Sequence, residues 1–390
     1  MQTADRIAGI GSAIFNEMEI LKRKVEERGV TVINLGVGTP DRPPAPHIIQ
    51  AMHRALDNPN NYRYPLEGMP ELYRALTDWY KRRFGVVLDS ASEVLVLMGS
   101  QDGLAHLAMA YINPGDIALV PDPGYPIYAC GIKLAGGEVY PLPLLAKNDF
   151  LPDFDAIPEG IARRAKLIWL NYPNNPVAAN ANREFFEKAA AFGKKYGILV
   201  CHDVAYSELA YDGFKPVSFL EAPGAREVGI EFYSLSKTYN MAGCRIGFAV
   251  GNSAVLEALG RVKSNIDYGV FRVVQEAGIA ALEGPQDCVE ENARVYQRRR
   301  DVLVDGLAGL GWQMPKPRAS MFVWAPLPPG YVSSWEFCLE LLAKAGVIVI
   351  PGVAFGESGE GYVRIAMVQE EEVLVEAVRR IGESFSFGSS

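Results

Sequence analysis

This chain is short of the residues that several kinds of chemistry need. Its 390 residues include four histidines, His47, His53, His106 and His202, too few and too scattered to supply a His-based triad or a metal site. Its five cysteines, Cys130, Cys201, Cys244, Cys288 and Cys338, are odd in number and show no C-x-x-C spacing. That argues against a disulfide framework or a zinc site, and for reduced thiols in a cytoplasmic protein. No apolar run reaches the roughly 18 residues of a membrane helix, and Met1 to Arg6 lack the basic-then-apolar pattern of a secretory leader. Basic residues are outnumbered 38 to 46, for a net charge of −8, so no nucleic-acid-binding tail or basic stripe is present. Internal repeats and low-complexity linkers are also missing.

What is there is ordinary globular composition, 49% hydrophobic and 22% charged, with length for a large α/β domain and a smaller one. Spacing predicts an amphipathic helix over 13–29, with Ile14, Met18, Leu21 and Val25 on one face. A short strand follows within 32–40, then helices over 46–58 and 70–84. From about residue 93, strands at 94–98, 117–120, 166–170 and 198–201 alternate with helices at 102–112, 126–135 and 182–196, and 229–235 forms a further apolar run. This alternation means α/β architecture, a mostly parallel sheet covered by helices on both faces. Ligands in such sheets sit beyond the carboxyl ends of the strands. After about residue 287 the pattern changes to a charged helix with Arg294, Arg298, Arg299 and Arg300. Strands at 321–324, 347–350 and 362–365 and a helix over 333–345 follow, which reads as a smaller α+β domain. The expected division is 1–45 as an N-terminal segment packing with the small domain, 46–287 as the large domain and 288–390 as the small domain, with 385–390 frayed.

Beyond one strand end lies Tyr233-Ser-Leu-Ser-Lys-Thr-Tyr-Asn-Met-Ala-Gly-Cys-Arg-Ile-Gly247, in which Ser234 and Ser236 flank Lys237 and Arg245 follows eight residues later. Such a lysine can form an imine with an aldehyde whose phosphate the neighbours grip. That describes pyridoxal 5'-phosphate (PLP), and with it amino-acid chemistry. A surface lysine in a Ser/Gly loop is the plainer reading, and the other segments weigh against it. Met98-Gly-Ser-Gln-Asp-Gly-Leu104 joins a strand to a helix whose first amides suit a phosphate. Asp122-Pro-Gly-Tyr-Pro126, Asn171-Tyr-Pro-Asn-Asn-Pro176 and His202-Asp-Val-Ala-Tyr206 each follow a strand as well.

Together, and in this order, these segments resemble the class I and II aminotransferases of the aspartate aminotransferase fold, over nearly the whole chain. The resemblance implies that Ser100, Gln101, Asp102, Ser234, Ser236 and Arg245 hold the PLP phosphate. Asp102 would act through its backbone N–H, its side chain capping the helix. It also implies Tyr125 stacked on the pyridine ring, Asp203 paired with the ring nitrogen, Asn175 and Tyr206 at the phenolic oxygen, and Lys237 carrying the cofactor and moving the proton. Arg364, in Tyr362-Val-Arg-Ile365, would clamp the substrate α-carboxylate as a bidentate fork, with Asn175 nearby and Gly38 letting backbone approach. Tyr62 and Tyr64 lie where the family sends a tyrosine across a homodimer to the partner's phosphate, and spacing to Gly68 favours Tyr64. Residues 263–268 would also approach the partner's site. One departure stands out: the family continues Pro-Thr-Gly where this chain has Pro176-Val177-Ala178.

The resemblance implies an amino group exchanged between an amino acid and a 2-oxo acid in two half-reactions, with ping-pong kinetics and no metal. Asn34-Leu-Gly-Val-Gly-Thr-Pro-Asp-Arg-Pro43, Ser236-Lys-Thr-Tyr-Asn-Met-Ala-Gly243 and Lys263-Ser-Asn-Ile-Asp267 most resemble LL-diaminopimelate aminotransferases. Those enzymes work with glutamate and 2-oxoglutarate on the route to lysine and cell wall. Glu67 could meet the distal ammonium of such a substrate, or could simply precede a helix. Aspartate or alanine aminotransferases of broad specificity share part of these motifs. A C–S lyase of the same fold would keep Lys237, Asp203 and Arg364. A PLP-sensing transcription regulator would need an N-terminal DNA-binding domain, for which the roughly 30 residues before the first strand are too few.

Overall fold

The computed structural model describes residues 2–7 and 13–387, with side chains of the first helix described from residue 16. Ile14 of the expected apolar face and residues 388–390 of the tail therefore lie outside the description. The strands are β1 (Ile33–Asn34), β2 (Val94–Leu97), β3 (Ile117–Asp122), β4 (Glu138–Pro143), β5 (Ala165–Asn171), β6 (Leu199–Asp203), β7 (Gly229–Ser234), β8 (Gly247–Gly251), β9 (Phe322–Pro326), β10 (Val347–Ile348), β11 (Ile350–Pro351) and β12 (Tyr362–Ala366).

Seven of them form one sheet in the order β2-β8-β7-β6-β5-β3-β4. Pairs from β4 across to β7 are parallel, and β8 runs antiparallel to both of its neighbours. Both faces are buried because side chains alternate across the pleat. Leu167 and Trp169 of β5 enter one apolar layer, and Ile168 and Leu170 enter the other. The first layer includes residues of the helices Ser100–Tyr111 and Ser253–Lys263, the second residues of Pro70–Phe84 and Arg183–Tyr196. This double cover explains why the strands read as continuous apolar runs.

Strands β11, β12 and β9 make an antiparallel sheet, and β1 pairs in parallel with β10. Their core includes Leu341, Leu374, Phe322 and Ile365, and also Met18, Ile33 and Leu35 from the beginning of the chain. That pairing carries residues 36–39 past the ends of the large sheet.

The structure corrects or adds to the sequence reading in three places. The 32–40 segment is a strand only over Ile33–Asn34, since the glycines beyond carry no side chains to pack. β4 was not expected, because Pro141 and Pro143 lie in it; as an edge strand it tolerates missing N–H donors. The arginines of helix Asp287–Gly309 are not all a solvated face. Arg299 is fully buried and pairs with both carboxylate oxygens of Asp41 at 2.8 and 2.7 Å, and Arg300 reaches Asp212 at 2.6 Å.

Candidate active site

A cavity of about 650 Å³ opens at the carboxyl ends of β5, β6 and β7, closed on its far side by Gly36–Thr39, Phe322, Phe355 and Arg364. Into it the structure brings Lys237, Asp203, Tyr206, Asn175, Tyr125, Ser100, Gln101, Ser234, Ser236, Arg245, Gly38 and Arg364. Apart from Arg245, which precedes β8, each large-sheet member lies at or a few residues past a strand end, where the fold alone places a ligand.

Lys237 sits in the short helix Leu235–Thr238 directly after β7. Its Nζ donates to the Gly38 carbonyl at 2.8 Å. Burial, reinforced by the Arg364 and Arg245 charges, lowers its pKa to about 8. A lysine so placed is partly neutral near physiological pH, as a nucleophile or proton acceptor must be.

Asp203 ends β6, and burial raises its pKa to about 6. One oxygen, Oδ2, accepts from the Tyr128 hydroxyl at 2.8 Å. The other, Oδ1, is buried with no protein partner. Register sets Asn171 of β5 beside Asp203, and Asn171 Nδ2 donates to the Asp203 carbonyl at 2.8 Å. Asn171 Oδ1 in turn accepts the Asn175 N–H at 2.7 Å. Tyr206 is buried, and desolvation with the nearby Asp203 charge raises its pKa, keeping the phenol protonated.

Arg364 is held from three sides. Nη1 donates to Asn175 Oδ1 at 2.9 Å and Nη2 to the Gly36 carbonyl at 2.5 Å. The guanidinium lies 4.2 Å from the Phe322 ring centre and 4.6 Å from that of Phe355. Burial lowers its pKa to about 10, which leaves it charged at neutral pH. Its buried Nε has no partner, so the clamp retains donors for an incoming anion. A β-carbon at Gly38 would fall 2.4 Å from Phe322, so the glycine is needed for this close approach.

At the opposite end, the first turn of the helix Ser100–Tyr111 faces Ser234, Ser236 and Arg245. Its first N–H groups have no partner within the helix. A β-carbon at Gly99, which has φ +79°, would lie 2.5 Å from Arg245 Nη2, and one at Gly247 would lie 2.6 Å from the Ser100 nitrogen. Both glycines keep this concavity open. Tyr125 leans over it with its hydroxyl donating to Gln101 Oε1 at 3.1 Å.

Asp102 and Tyr64 are not brought into the cavity of this chain. The Asp102 N–H donates to the Gly99 carbonyl at 3.1 Å. Its carboxylate accepts from Met98 N–H at 2.9 Å and meets His106 Nδ1 at 2.6 Å and Lys263 Nζ at 3.3 Å. Tyr64 is 75% exposed and packs against Tyr268, ring centres 5.0 Å apart. Among the described residues no cluster of three or more His, Cys, Asp or Glu is placed to hold a metal ion, and no helix is long and apolar enough to cross a membrane.

Residues 30–381 match the family model described as aminotransferase class I and II. The chain belongs to the class I and II aminotransferases. It is 53% identical over 379 residues to LL-diaminopimelate aminotransferase of Syntrophobacter fumaroxidans, a match covering 97% of each chain. It is 41% identical to BacF from Bacillus subtilis, solved with substrate bound, with a TM-score of 0.95 over 100% of this chain and 99% of that one. A mutant Thermus thermophilus aspartate aminotransferase is 28% identical, with a TM-score of 0.92 over 99% of this chain and 100% of the other. The enzyme is therefore a PLP-dependent transaminase acting on an amino acid and a 2-oxo acid. The residues fit that cofactor. The unpartnered Asp203 Oδ1 offers an acceptor to a protonated ring nitrogen, and the glycine-lined turn offers N–H and guanidinium donors to a phosphate.

The sequence reading missed Tyr128, Asn171, Phe322 and Phe355. Tyr128 was within reach of inference, three residues after Tyr125, in the first turn of the helix Pro126–Leu134 that Tyr125 precedes. The two phenylalanines come from segments whose approach to Arg364 depends on tertiary packing alone.

Proposed function

We propose that this enzyme transfers the amino group between LL-diaminopimelate and 2-oxoglutarate, in amino-acid biosynthesis leading to lysine. The observation that carries the substrate assignment is the full-length identity of 53% to an enzyme of that name. The cofactor supplies an aldehyde that takes up the amino group and an electron-poor ring that stabilises the substrate's Cα carbanion. Arg364 binds the substrate α-carboxylate and orients the Cα–H bond. Lys237 carries the proton on Nζ between Cα and the acceptor carbon, and its lowered pKa suits both directions. Asp203 keeps the ring nitrogen protonated through Oδ1. Ser100, Gln101, Ser234, Ser236 and Arg245 hold the phosphate, and Tyr125, Asn175 and Tyr206 hold the ring. Gly38 leaves room for the carboxylate.

We further propose a cytoplasmic homodimer in which Tyr64 completes the partner's phosphate site. Support comes from the exposed apolar side chains of Tyr62, Tyr64, Leu66, Ile266, Tyr268 and Phe271, with Tyr62 against Phe271 and Tyr64 against Tyr268, since exposed apolar patches mark association. Asp102 then serves as a brace, tying the phosphate turn through Lys263 to the 264–271 segment of that surface.

The test is a comparison of kcat/KM for LL-diaminopimelate, glutamate, aspartate and alanine with a common 2-oxo acid. LL-diaminopimelate should exceed aspartate and alanine. If either of those exceeds it, the broad-specificity assignment replaces this one, and pyruvate release without a 2-oxo acid would indicate a lyase.

A further inference from the structure

The two oxygens of Asp203 stand in unlike surroundings. Oδ2 is taken by the Tyr128 hydroxyl at 2.8 Å, while Oδ1 is buried and unpartnered, in a residue that lines the cavity. Tyr128 is itself fully buried. Its ring stacks on Trp169, centres 5.2 Å apart at 18°, and meets the Tyr125 ring edge-on at 5.8 Å. The phenol therefore has one place to put its proton. Burial and the Asp203 charge raise its own pKa, so it stays a donor. A donor to a carboxylate favours the ionised form, and opposes the burial that favours the neutral one.

The other groups facing Asp203 do not duplicate this. His202 and Lys237 act on it by charge, and the Ala205 backbone N–H lies near enough to favour its ionised form without making a hydrogen bond. Tyr125 and Tyr206 lie near enough to feel its charge. His202, the neighbour in β6, points to the other face of the sheet, where Nδ1 meets Glu231 at 2.7 Å.

We propose that Tyr128 is a positioning residue for the cofactor: it occupies Asp203 Oδ2, keeps the carboxylate ionised, and so presents Oδ1 to the protonated ring nitrogen. This rests on the reading of the cavity as the PLP site. Tyr128 touches neither substrate nor the reacting atoms, and acts through Asp203.

The test is PLP affinity of the cofactor-free protein between pH 5.5 and 8.5, in wild type, Tyr128→Phe, Asp203→Asn and the double variant. Tyr128→Phe removes one oxygen and keeps the stacked ring. A lost hydrogen bond to a charged group corresponds to roughly 10- to 100-fold in affinity. The loss should be greatest at the acid end, where a smaller fraction of Asp203 is ionised in the variant than in the wild type, and should shrink as the pH rises. In the Asp203→Asn background the same change should alter affinity less than about twofold. Unchanged affinity of Tyr128→Phe at every pH overturns the proposal. So does an equal loss in both backgrounds, which would mean that the hydroxyl matters for packing alone. Failure of the wild type to bind PLP would instead refute the cofactor site itself.

Discussion

Asp203→Asn should make the cofactor-free enzyme more stable at neutral pH while crippling its activity. The folded carboxyl has a pKa of about 6 because it is buried, against roughly 3.9 in an unfolded chain. Between those values the unfolded chain has released its proton and the folded one has kept it. Stability therefore falls as pH rises from about 4 to about 6, then levels off. About two pKa units correspond to roughly 3 kcal/mol at pH 7. An asparagine keeps the shape, can still accept from Tyr128, and carries no charge. The assay is urea unfolding of both cofactor-free proteins at pH 4.5, 6 and 7.5. Taking the difference between them cancels the titration of groups that do not interact with Asp203. That difference should open from about 1 kcal/mol at pH 4.5 to about 3 kcal/mol at pH 7.5. Saturating PLP should then narrow or reverse it, because a protonated ring nitrogen rewards the wild-type carboxylate. A variant less stable than wild type at pH 7.5, or a difference independent of pH, would refute the reasoning.

Three further outcomes are expected. Arg364→Lys keeps the charge but loses the fork held by Asn175 and Gly36, so the KM for amino acids should rise about 10- to 100-fold; an unchanged KM would place the carboxylate elsewhere. Amine-directed labelling of Lys237 in the cofactor-free enzyme should rise with a midpoint near pH 8, and a midpoint above pH 10 would show that burial does not lower it. Ala178 holds φ at +55°, so Ala178→Gly relieves left-handed strain of about 1–2 kcal/mol, offset in part by the freer unfolded chain. Its urea midpoint should rise slightly, whereas a fall would show that the methyl packing outweighs the strain.

Val177 and Ala178 replace the usual Thr-Gly without opening the turn, and the asparagines around them show how. Val177 N–H donates to Asn174 Oδ1 at 2.9 Å and Asn174 N–H to the Ala179 carbonyl at 3.0 Å. The turn is locked by side chains already visible in the motif, so it accommodates an alanine where a glycine would be relaxed.

Much of the cavity was legible in the sequence because the fold places it by a local rule. Ser100, Tyr125, Asn175, Asp203 and Lys237 each follow a strand that could be read from β-branched runs flanked by helices. What escaped depended on approach between distant segments. β8, bounded by Gly247 and Gly251 and running against its neighbours, has too short an apolar core to announce itself. The Asp41–Arg299 pair joins residues 258 apart in sequence, and no periodicity connects them. Asp102 was read as a helix cap beside the phosphate, and its tie to Lys263, 161 residues on, could not be read from local pattern. Tyr64 is exposed, packs against Tyr268 and does not line the cavity of its own chain, which a local sequence pattern does not reveal.

The most direct test of the account is a single half-reaction. PLP-loaded enzyme, with no 2-oxo acid present, is mixed with LL-diaminopimelate while the absorbance of the bound aldehyde cofactor is followed, and 2-oxoglutarate is then added. The account predicts loss of that absorbance faster than with aspartate or alanine at equal concentration, and its return on adding 2-oxoglutarate. No loss with LL-diaminopimelate, beside a prompt loss with aspartate or alanine, would contradict it.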